Sequence, residues 1–595
     1  MAYTQYVLVC GGTGCESSKA DAIYRNLIDD VAAREMQADV QIVKTGCFGF
    51  CEKGPIVKVL PDEAFYVEVK PEDTEEIVAE HLVKGRTVER LLYKETESKE
   101  HAKIDDISFY QKQVRVVLRN CGFIDPENID EYIARDGYLA LERALTELSP
   151  DQIIEELKVS GLRGRGGAGF PTWRKWSFTK AVESDQKYVV CNADEGDPGA
   201  YMDRSILEGD PHSVLEAMAI AGYTCGADKG FIYIRAEYPL AIGRLETAIA
   251  QATEQGLLGN NILGTDFSFE IEIRLGAGAF VCGEETALLE SIEGERGMPR
   301  VRPPFPAVKG LWGQPTVINN VETWANIPAI ITRGGQWFGK LGTEKSKGTK
   351  VFALTGKINN SGLVEVPMGT PLRDIIYNIG GGIPDGKAFK AVQTGGPSGG
   401  VITAEFLDTP IDYEHLQELG SIMGSGGMIV MDEDDCMVDV AKFYLEFTVE
   451  ESCGKCAPCR VGGRQIYDVI DGITKGKGKP EDVQRIEAIG QAMQRASLCG
   501  LGQTAPNPAL SVIRYFKDEL MEHIEEGKCR AGVCTSLIRY DILEDKCIGC
   551  TLCARRCPVP CIDGERKQVH VIDQERCIKC GECFAACKFG AVVRG

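Results

Sequence analysis

Two runs of cysteine have the spacing of a metal-binding device. Cys547-x2-Cys550-x2-Cys553-x3-Cys557 is followed by Pro558, and Cys577-x2-Cys580-x2-Cys583-x3-Cys587 repeats the pattern. Thiolates two residues apart wrap one corner of a [4Fe–4S] cubane, and in paired runs the fourth cysteine of each ligates the other cluster. One cluster is therefore expected on Cys547, Cys550, Cys553 and Cys587, and its twin on Cys577, Cys580, Cys583 and Cys557. A third cubane is expected at Cys453, Cys456 and Cys459, with Cys499 as the remote fourth ligand and a structural zinc as the alternative, since Gly454 and Pro458 suit any tight metal loop. Cys10-x4-Cys15 and Cys47-x3-Cys51 form a looser quartet. It suits a [2Fe–2S] cluster or a zinc ion, and its intervals differ from the tight knuckles of zinc ribbons, which favours iron and sulfur. Cys529, Cys534, Cys561 and His570 remain unclaimed. Three thiols and an imidazole make a Cys3His zinc set, with His523 as the alternative nitrogen ligand and free buried thiols as the alternative to any metal. Cys121, Cys191, Cys225, Cys282 and Cys436 stand singly among apolar residues or glycines and read as packing.

Between these groups the chain carries different chemistry. Gly161-Leu-Arg-Gly164-Arg165-Gly166-Gly-Ala-Gly169-Phe170-Pro171 contains G-x-G-x-x-G, which alone is a weak sign of a dinucleotide. Ile153, Ile154 and Leu157 before it have helical spacing, whereas a Rossmann fingerprint follows a strand. The segment therefore reads as a phosphate- or ring-cradling loop of another fold, with Lys175 as the opposing charge. Tyr188-Val-Val-Cys191 reads as a buried strand opening into Asn192-Ala-Asp194-Glu195-Gly-Asp197. Amides and carboxylates at a strand's carboxyl end lie where open α/β sheets bind ligands; a solvated acidic loop is the alternative. Gly276-Ala-Gly-Ala-Phe280-Val-Cys-Gly283-Glu284-Glu285-Thr286 repeats the arrangement of glycine loop, acid pair and helix start, and Phe305, Asn319 and Asn320 follow.

The elements that must position these residues can be read around them. Tyr6 to Val9 predicts a strand running into Cys10, and after one amphipathic helix Val40 to Val43 predicts a second strand ahead of Cys47. That order places both cysteine pairs at neighbouring loop ends on one edge of a sheet. Residues 86–110 are rich in Lys, Glu and Arg and predict an exposed linker. Lys350 to Met431 predicts a short-stranded α+β unit, and helical patterns surround Cys453 to His523. A chain of 595 residues with 44% hydrophobic and 26% charged side chains has material for several cores and is neither disordered nor collagen-like. Its net charge of −22 opposes binding to a phosphate backbone, so no nucleic-acid partner is expected. Neither a basic, apolar leader nor an apolar run of about 18 residues is present, which predicts a cytoplasmic protein without a membrane span.

The stretch from Gly161 to Glu322 resembles the NADH-binding, FMN-containing flavoprotein subunit of complex I, and Cys453 to Cys499 resemble that subunit's own [4Fe–4S] site. With a thioredoxin-like [2Fe–2S] module before them and a two-cluster ferredoxin after them, the whole chain resembles the beta subunit of soluble NAD(P)-dependent, electron-bifurcating iron hydrogenases. The resemblance implies a multidomain α/β and α+β protein. Its modules would be a thioredoxin-like domain (1–85), the linker, an FMN- and NADH-binding α/β domain (111–335), a β-grasp SLBB domain (336–440), a helical [4Fe–4S] domain (441–526) and a zinc-tied ferredoxin domain (527–595). It implies that Gly164, Arg165, Gly166, Lys175, Asn192, Asp194, Glu195, Asn319 and Asn320 hold FMN. Phe170, Phe178, Asp197, Gly283, Glu284, Glu285 and Phe305 would line the NAD(H) pocket, with Glu195 and Lys175 as the catalytic positions. Trp173 departs from the complex I pattern, which has glycine there. The implied cofactors are FMN, NAD(H), one [2Fe–2S] and three [4Fe–4S] clusters, with the zinc added from the leftover thiols. The implied activity is exchange of hydride between NAD(H) and FMN with single electrons passed along the clusters. The implied partners are a hydrogenase catalytic subunit with further clusters, a small [2Fe–2S] thioredoxin-like subunit, and ferredoxin. The same module also serves NAD-dependent formate dehydrogenases and complex I-like NADH dehydrogenases, and a cluster-bearing scaffold is the non-enzymatic alternative.

Overall fold

The structure, a computed structural model, describes residues 3–96, 99–100 and 107–594. They form two compact units, Met1–Val430 and Met431–Gly595.

The first unit begins with a four-stranded sheet. β1 (Gln5–Cys10) pairs in parallel with β2 (Val40–Thr45) and antiparallel with β3 (Val57–Leu60), which carries β4 (Ala64–Tyr66) at the other edge. Val7 and Val9 face α1 (Ala20–Ala33), whose Ile23, Leu27 and Val31 recur at helical spacing, while Leu8 and Cys10 enter a second core. A strand alternates sides, so a helix on one face and another core on the other require the run to be apolar throughout. That second core is shared with the β-grasp module, and Phe50 stacks on Phe109 at 4.5 Å within it. Each such buried side chain contributes about 1.5–3 kcal/mol, more than an exposed ion pair's roughly 0–1 kcal/mol, so aromatic packing and not surface charge joins the two modules. Residues 86–110 differ from an exposed linker at both ends. Val88, Leu91, Leu92, Ile107 and Phe109 are buried, because apolar side chains punctuate the charged run; residues 97–98 and 101–106 lie outside those described.

The flavin-like module is built on a parallel sheet of β5 (Tyr188–Ala193), β6 (Lys229–Arg235), β7 (Glu270–Gly276) and β8 (Thr316–Asn320) in the order β8-β5-β6-β7. The chain leaves β5 toward β6 and β7 and then returns to the opposite side of β5, which creates a topological switch point between β5 and β8. Two helices lead into it. α2 (Pro150–Ser160) opens with a Ser149/Gln152 capping box and Pro150 in its first turn, and ends at Gly161 with φ 65°. That left-handed turn favours glycine and starts the glycine loop at the helix's end; α3 (Thr172–Ala181) follows the loop. The β-grasp sheet has five strands: β9 (Thr349–Gly356), β10 (Gly362–Pro367), β11 (Phe389–Thr394), β12 (Val401–Thr403) and β13 (Gly427–Asp432), in the order β10-β9-β13-β11-β12.

The second unit opens with helices Met437–Glu450, Gly463–Thr474, Glu481–Ala496 and Asn507–Tyr515. It closes with two small sheets, Tyr540–Ile542 with Val592–Arg594 and Ile562–Asp563 with Val571–Ile572. No described helix is long and apolar enough to cross a membrane.

Candidate flavin, nucleotide and metal sites

At the switch point β5 and β8 end side by side, with Asn192 paired opposite Asn320. The glycine loop closes on itself through Gly164 N to Phe170 O (2.9 Å) and Thr172 N to Leu162 O (3.0 Å). It docks on the start of the helix Val321–Arg333. Asn320 caps that helix by accepting from Thr323 N at 3.0 Å, Arg165 N donates to Thr323 Oγ1 at 2.8 Å, and a Cβ on Gly166 would stand 3.2 Å from Asn320 Cβ. A side chain here would crowd Asn320, so glycine lets the loop backbone approach the strand ends closely. Asn192 Nδ2 donates to Gly283 O at 2.9 Å and its Oδ1 accepts from Asp194 N at 3.1 Å, so one amide ties the two ligand-side loops together. The crevice is a backbone-rich cradle with an amide, a lysine and acids around it, a donor set that fits a phosphate and a heteroaromatic ring.

Several expected site residues turn elsewhere. Arg165 is fully buried, and its guanidinium donates to the carbonyls of Thr349 (3.0 Å), Arg163 (2.9 Å) and Lys347 (2.6 Å), which commits it to the β-grasp module. The Asn319 amide accepts from Trp176 Nε1 at 3.1 Å and donates to Ile318 O at 3.0 Å, facing the core. Glu284 caps the helix Glu285–Ile292, accepting from Thr286 N (2.9 Å) and Ala287 N (3.0 Å). The Asp197 carboxylate accepts from Ser425 Oγ at 2.5 Å, and burial raises its pKa. Glu195 is buried and accepts from the backbone N–H groups of Asp203 (3.0 Å) and Arg204 (3.1 Å); burial pushes its carboxyl up against those two bonds.

The rim carries three exposed aromatics, Phe170 (41%), Phe178 (52%) and Phe305 (55%), a concentration of uncovered ring surface that suits stacking of planar ligands. The turn beginning at Pro306 packs against α3, which brings Phe305 to the helix that carries Lys175 and Phe178. Between them Glu285 holds two cations, Lys175 Nζ at 3.0 Å and Arg302 Nη1 at 2.8 Å, and Lys175 also donates to Ile318 O at 3.2 Å. Burial works against the ionised Glu285 carboxylate, but Lys175 and Arg302 outweigh it and hold the group below the usual carboxylate range. Trp173 packs against the main core with Lys158 and Arg174 over its ring at 5.9 and 5.4 Å.

The four N-terminal thiols converge as the strand order predicts. Cys47 Sγ lies 3.6 Å from Cys51 Sγ, and Cys10 is hydrogen-bonded to both Cys15 and Cys47. Bonding to Cys15, then burial, pushes the Cys10 thiol well above its ordinary pKa, so these sulfurs would ionise together only with a multivalent cation among them. A Cβ on Gly54 would stand 2.6 Å from Cys15 Sγ, which leaves the sulfurs room only beside a glycine.

In the second unit, one cavity is walled by Cys547, Cys550, Cys553 and Cys587, with His570 beside them, and another by Cys557, Cys577, Cys580 and Cys583. Each cavity therefore joins three cysteines of one run to the fourth of the other. Cys459 has Cys453 and Cys456 around it, and Gly502, three residues beyond Cys499, approaches Cys459 so closely that a Cβ would stand 2.8 Å from Cys459 Cβ.

The expected Cys529, Cys534, Cys561 and His570 set is corrected. Cys561 lies 3.4 Å from Cys557, and His570, on the wall of the other cysteine-lined cavity, donates from Nδ1 to Gln568 O at 3.0 Å. Cys529 and Cys534 instead meet Cys436 and His523, with all four ligand atoms within 4.8 Å of one another and all four residues buried. Cys436, read as packing from its isolation, is thus a member of the quartet. His523 Nδ1 donates to Glu519 O at 2.7 Å, which turns Nε2 toward Cys436 (3.3 Å) and Cys534 (3.5 Å). Burial opposes a charged imidazole, but bonds to Cys436 and Cys529 outweigh it and carry His523 up to about 10, while bonds from Cys436 and Cys534 hold the Cys529 thiol well down. Tetrahedral zinc with Zn–S of about 2.3 Å has ligand edges of about 3.8 Å, close to the 3.8 Å between Cys436 and Cys534.

Sequence reasoning also missed the partners that hold these sites. Tyr413 donates to Gly164 O at 2.7 Å, and the fully buried Lys350–Glu322 pair joins β9 to the helix after β8. Both act across modules, where local spacing carries no signal.

Comparison with known proteins assigns every module. Residues 3–82 match the thioredoxin-like [2Fe–2S] ferredoxin family, 157–329 the Nuo51 FMN-binding domain, 351–402 the SLBB domain, 439–523 the NADH-ubiquinone oxidoreductase-F iron–sulfur binding region, and 546–591 the 4Fe–4S dicluster domain. The NADP-reducing hydrogenase subunit HndC of Solidesulfovibrio fructosivorans is 60% identical over 81% of this chain and 98% of its own. An NADH-quinone oxidoreductase subunit of Escherichia coli is 42% identical over 67% of this chain and 91% of its own. The crystal structure of an NAD+-reducing [NiFe]-hydrogenase in the H2-reduced state aligns with a TM-score of 0.62 at 30% identity, covering 88% of this chain and 85% of that one.

Proposed function

The chain belongs to the family of flavin- and iron–sulfur-containing NAD(P)H oxidoreductase subunits of hydrogenases and NADH-quinone oxidoreductase, and from that premise we propose that it is the diaphorase subunit of a multisubunit, electron-bifurcating [FeFe] hydrogenase. Its reaction is exchange of hydride between NAD(H) and FMN, followed by passage of single electrons along one [2Fe–2S] and three [4Fe–4S] clusters. The observation that carries this reading is the switch-point crevice, where Asn192, Asn320 and the glycine loop meet beside Lys175 and Glu285. The match to HndC over nearly its whole length favours a hydrogenase over a formate dehydrogenase.

FMN, when bound, accepts two electrons as hydride and releases them singly, the conversion that a nicotinamide pocket and one-electron clusters require. The chain's residues do the rest. The backbone of Gly164 to Gly166, with Asn192, Asp194 and Asn320, holds FMN. Lys175 supplies the cation at the crevice, and Glu195, fixed by two backbone bonds, orients the loop beside it. Phe170, Phe178 and Phe305 give flat apolar faces to the nucleotide rings, and Glu285 accepts from its ribose hydroxyls. Arg165, Asn319, Glu284 and Asp197 act at one remove, by fixing the loops. The cysteine quartets carry the clusters as the spacing assigns them, and Cys436, His523, Cys529 and Cys534 hold a redox-silent zinc. Partners are a hydrogenase catalytic subunit, a small [2Fe–2S] subunit and ferredoxin, in the cytoplasm.

Dye reduction by the FMN- and cluster-loaded chain tests the reading. NADH or NADPH is expected to support it, and Glu285→Gln to raise the nucleotide's KM while FMN stays bound. No dye reduction with either nucleotide would overturn it.

A further inference from the structure

The helix Met202–Gly209 touches both the flavin side and the N-terminal cysteine quartet. At its start, the backbone N–H groups of Asp203 and Arg204 hold the Glu195 carboxylate. Near its end the Glu208 side chain faces the other way. Glu208, 1% exposed, accepts from Thr13 N at 3.0 Å and from Thr13 Oγ1, and Thr13 lies between Cys10 and Cys15. At its end the Gly209 backbone lies directly against Gly46, next to Cys47, so that a Cβ on Gly46 would collide with it. The Tyr201 hydroxyl lies within hydrogen-bonding reach of the Cys51 sulfur. The Arg204 guanidinium lies over the Tyr201 ring at 5.7 Å, is held by an ion pair from its Nε to Glu208 Oε1 at 3.8 Å, and lies within electrostatic reach of the same sulfur.

We infer that Tyr201 and Arg204 are positioning residues through which the flavin module sets the reduction potential of the two-iron cluster. The inference rests on the functional reading above. Reduction adds one electron and no proton to a group already carrying four thiolates, so its net charge becomes more negative. A hydrogen bond to a ligand sulfur and a fixed guanidinium beside it both stabilise that added charge, and so raise the potential. Glu208 and the Gly46–Gly209 contact hold the distance at which they act.

The test is a dithionite titration of the cofactor-loaded full chain, followed by the two-iron EPR signal, for wild type, Tyr201→Phe, Arg204→Gln and Arg204→Lys. Tyr201→Phe and Arg204→Gln are each expected to lower the reduced-to-oxidised ratio at fixed potential by about tenfold, about 59 mV for one electron. Arg204→Lys is expected to restore most of the Arg204→Gln shift, and the cubane signals to stay in place. Iron content confirms that the cluster is intact. If Arg204→Gln loses it, Tyr201→Phe, which removes one oxygen, carries the test. An unshifted two-iron potential in Tyr201→Phe with full iron, or an equal shift in every cluster, would overturn the inference. Because dithionite is the reductant, failure here is distinguishable from failure of the flavin to accept hydride, which wild type with NADH reports.

Discussion

The N-terminal quartet, buried except for Cys51, and the fully buried Cys436–His523–Cys529–Cys534 quartet are both four-ligand sites, yet their surroundings differ in kind. The first is all sulfur, and its ligands answer to groups from another module: Thr13 is held by Glu208, and Cys51 by Tyr201. The second contains an imidazole whose far nitrogen is tied to Glu519 O, while the Glu519 carboxylate accepts from Met437 N at 2.9 Å beside Cys436. Outside groups that can stabilise an added electron suit a redox centre. A closed shell that fixes ligand orientation suits a structural ion. Ligand number alone would not separate the two.

The largest expected effects separate the sites by their metals. The loaded chain should contain about 14 irons and one zinc. Cys529→Ser should release the zinc and leave iron unchanged, whereas Cys10→Ser should remove the two-iron EPR signal and leave zinc in place; elemental analysis with EPR reads both. Loss of zinc from Cys561→Ser but not from Cys436→Ser would restore the set expected from sequence. Zinc binding supplies about 10–16 kcal/mol in zinc-finger peptides, so chelation should also unfold part of the second unit at temperatures where the first unit stays folded.

A smaller effect is expected where a buried charge pair, and no metal, joins modules. Lys350 and Glu322 are fully buried, and Lys350 also donates to Ser425 O at 2.6 Å. Lys350→Met should cost about 3–5 kcal/mol by leaving Glu322 uncompensated, and adding Glu322→Gln should recover much of it; denaturant unfolding measures both. Glu284→Ala, which removes a helix cap and a long ion pair with Arg302, should cost about 1 kcal/mol and leave FMN bound, whereas Glu285→Gln should leave stability nearly unchanged and weaken nucleotide use.

What the sequence shows of these sites follows from how far apart their ligands lie. The ferredoxin runs place three ligands on one turn, so spacing alone identifies them, and the parallel pairing of β1 and β2 follows from strand, helix, strand. The Cys436–His523–Cys529–Cys534 quartet joins Cys436 to His523 across 87 residues, and a single cysteine before a helix looks like packing until the chain folds. The glycine loop was legible as a cradle because glycine has few other uses in such density. The side chains of Arg165, Asn319 and Glu284 were not, since their partners are backbone groups that come near only in the folded chain. Tyr201 and Glu208 were invisible for the same reason.

Anaerobic titration of the cofactor-loaded chain with NADH, and separately with NADPH, while flavin absorbance and cluster EPR are recorded, tests the central claim most directly. The expected result is bleaching of the flavin by at least one nucleotide, with the two-iron and four-iron signals rising as electrons leave it singly. Flavin that stays oxidised with both nucleotides, in a chain whose clusters dithionite reduces normally, would contradict it.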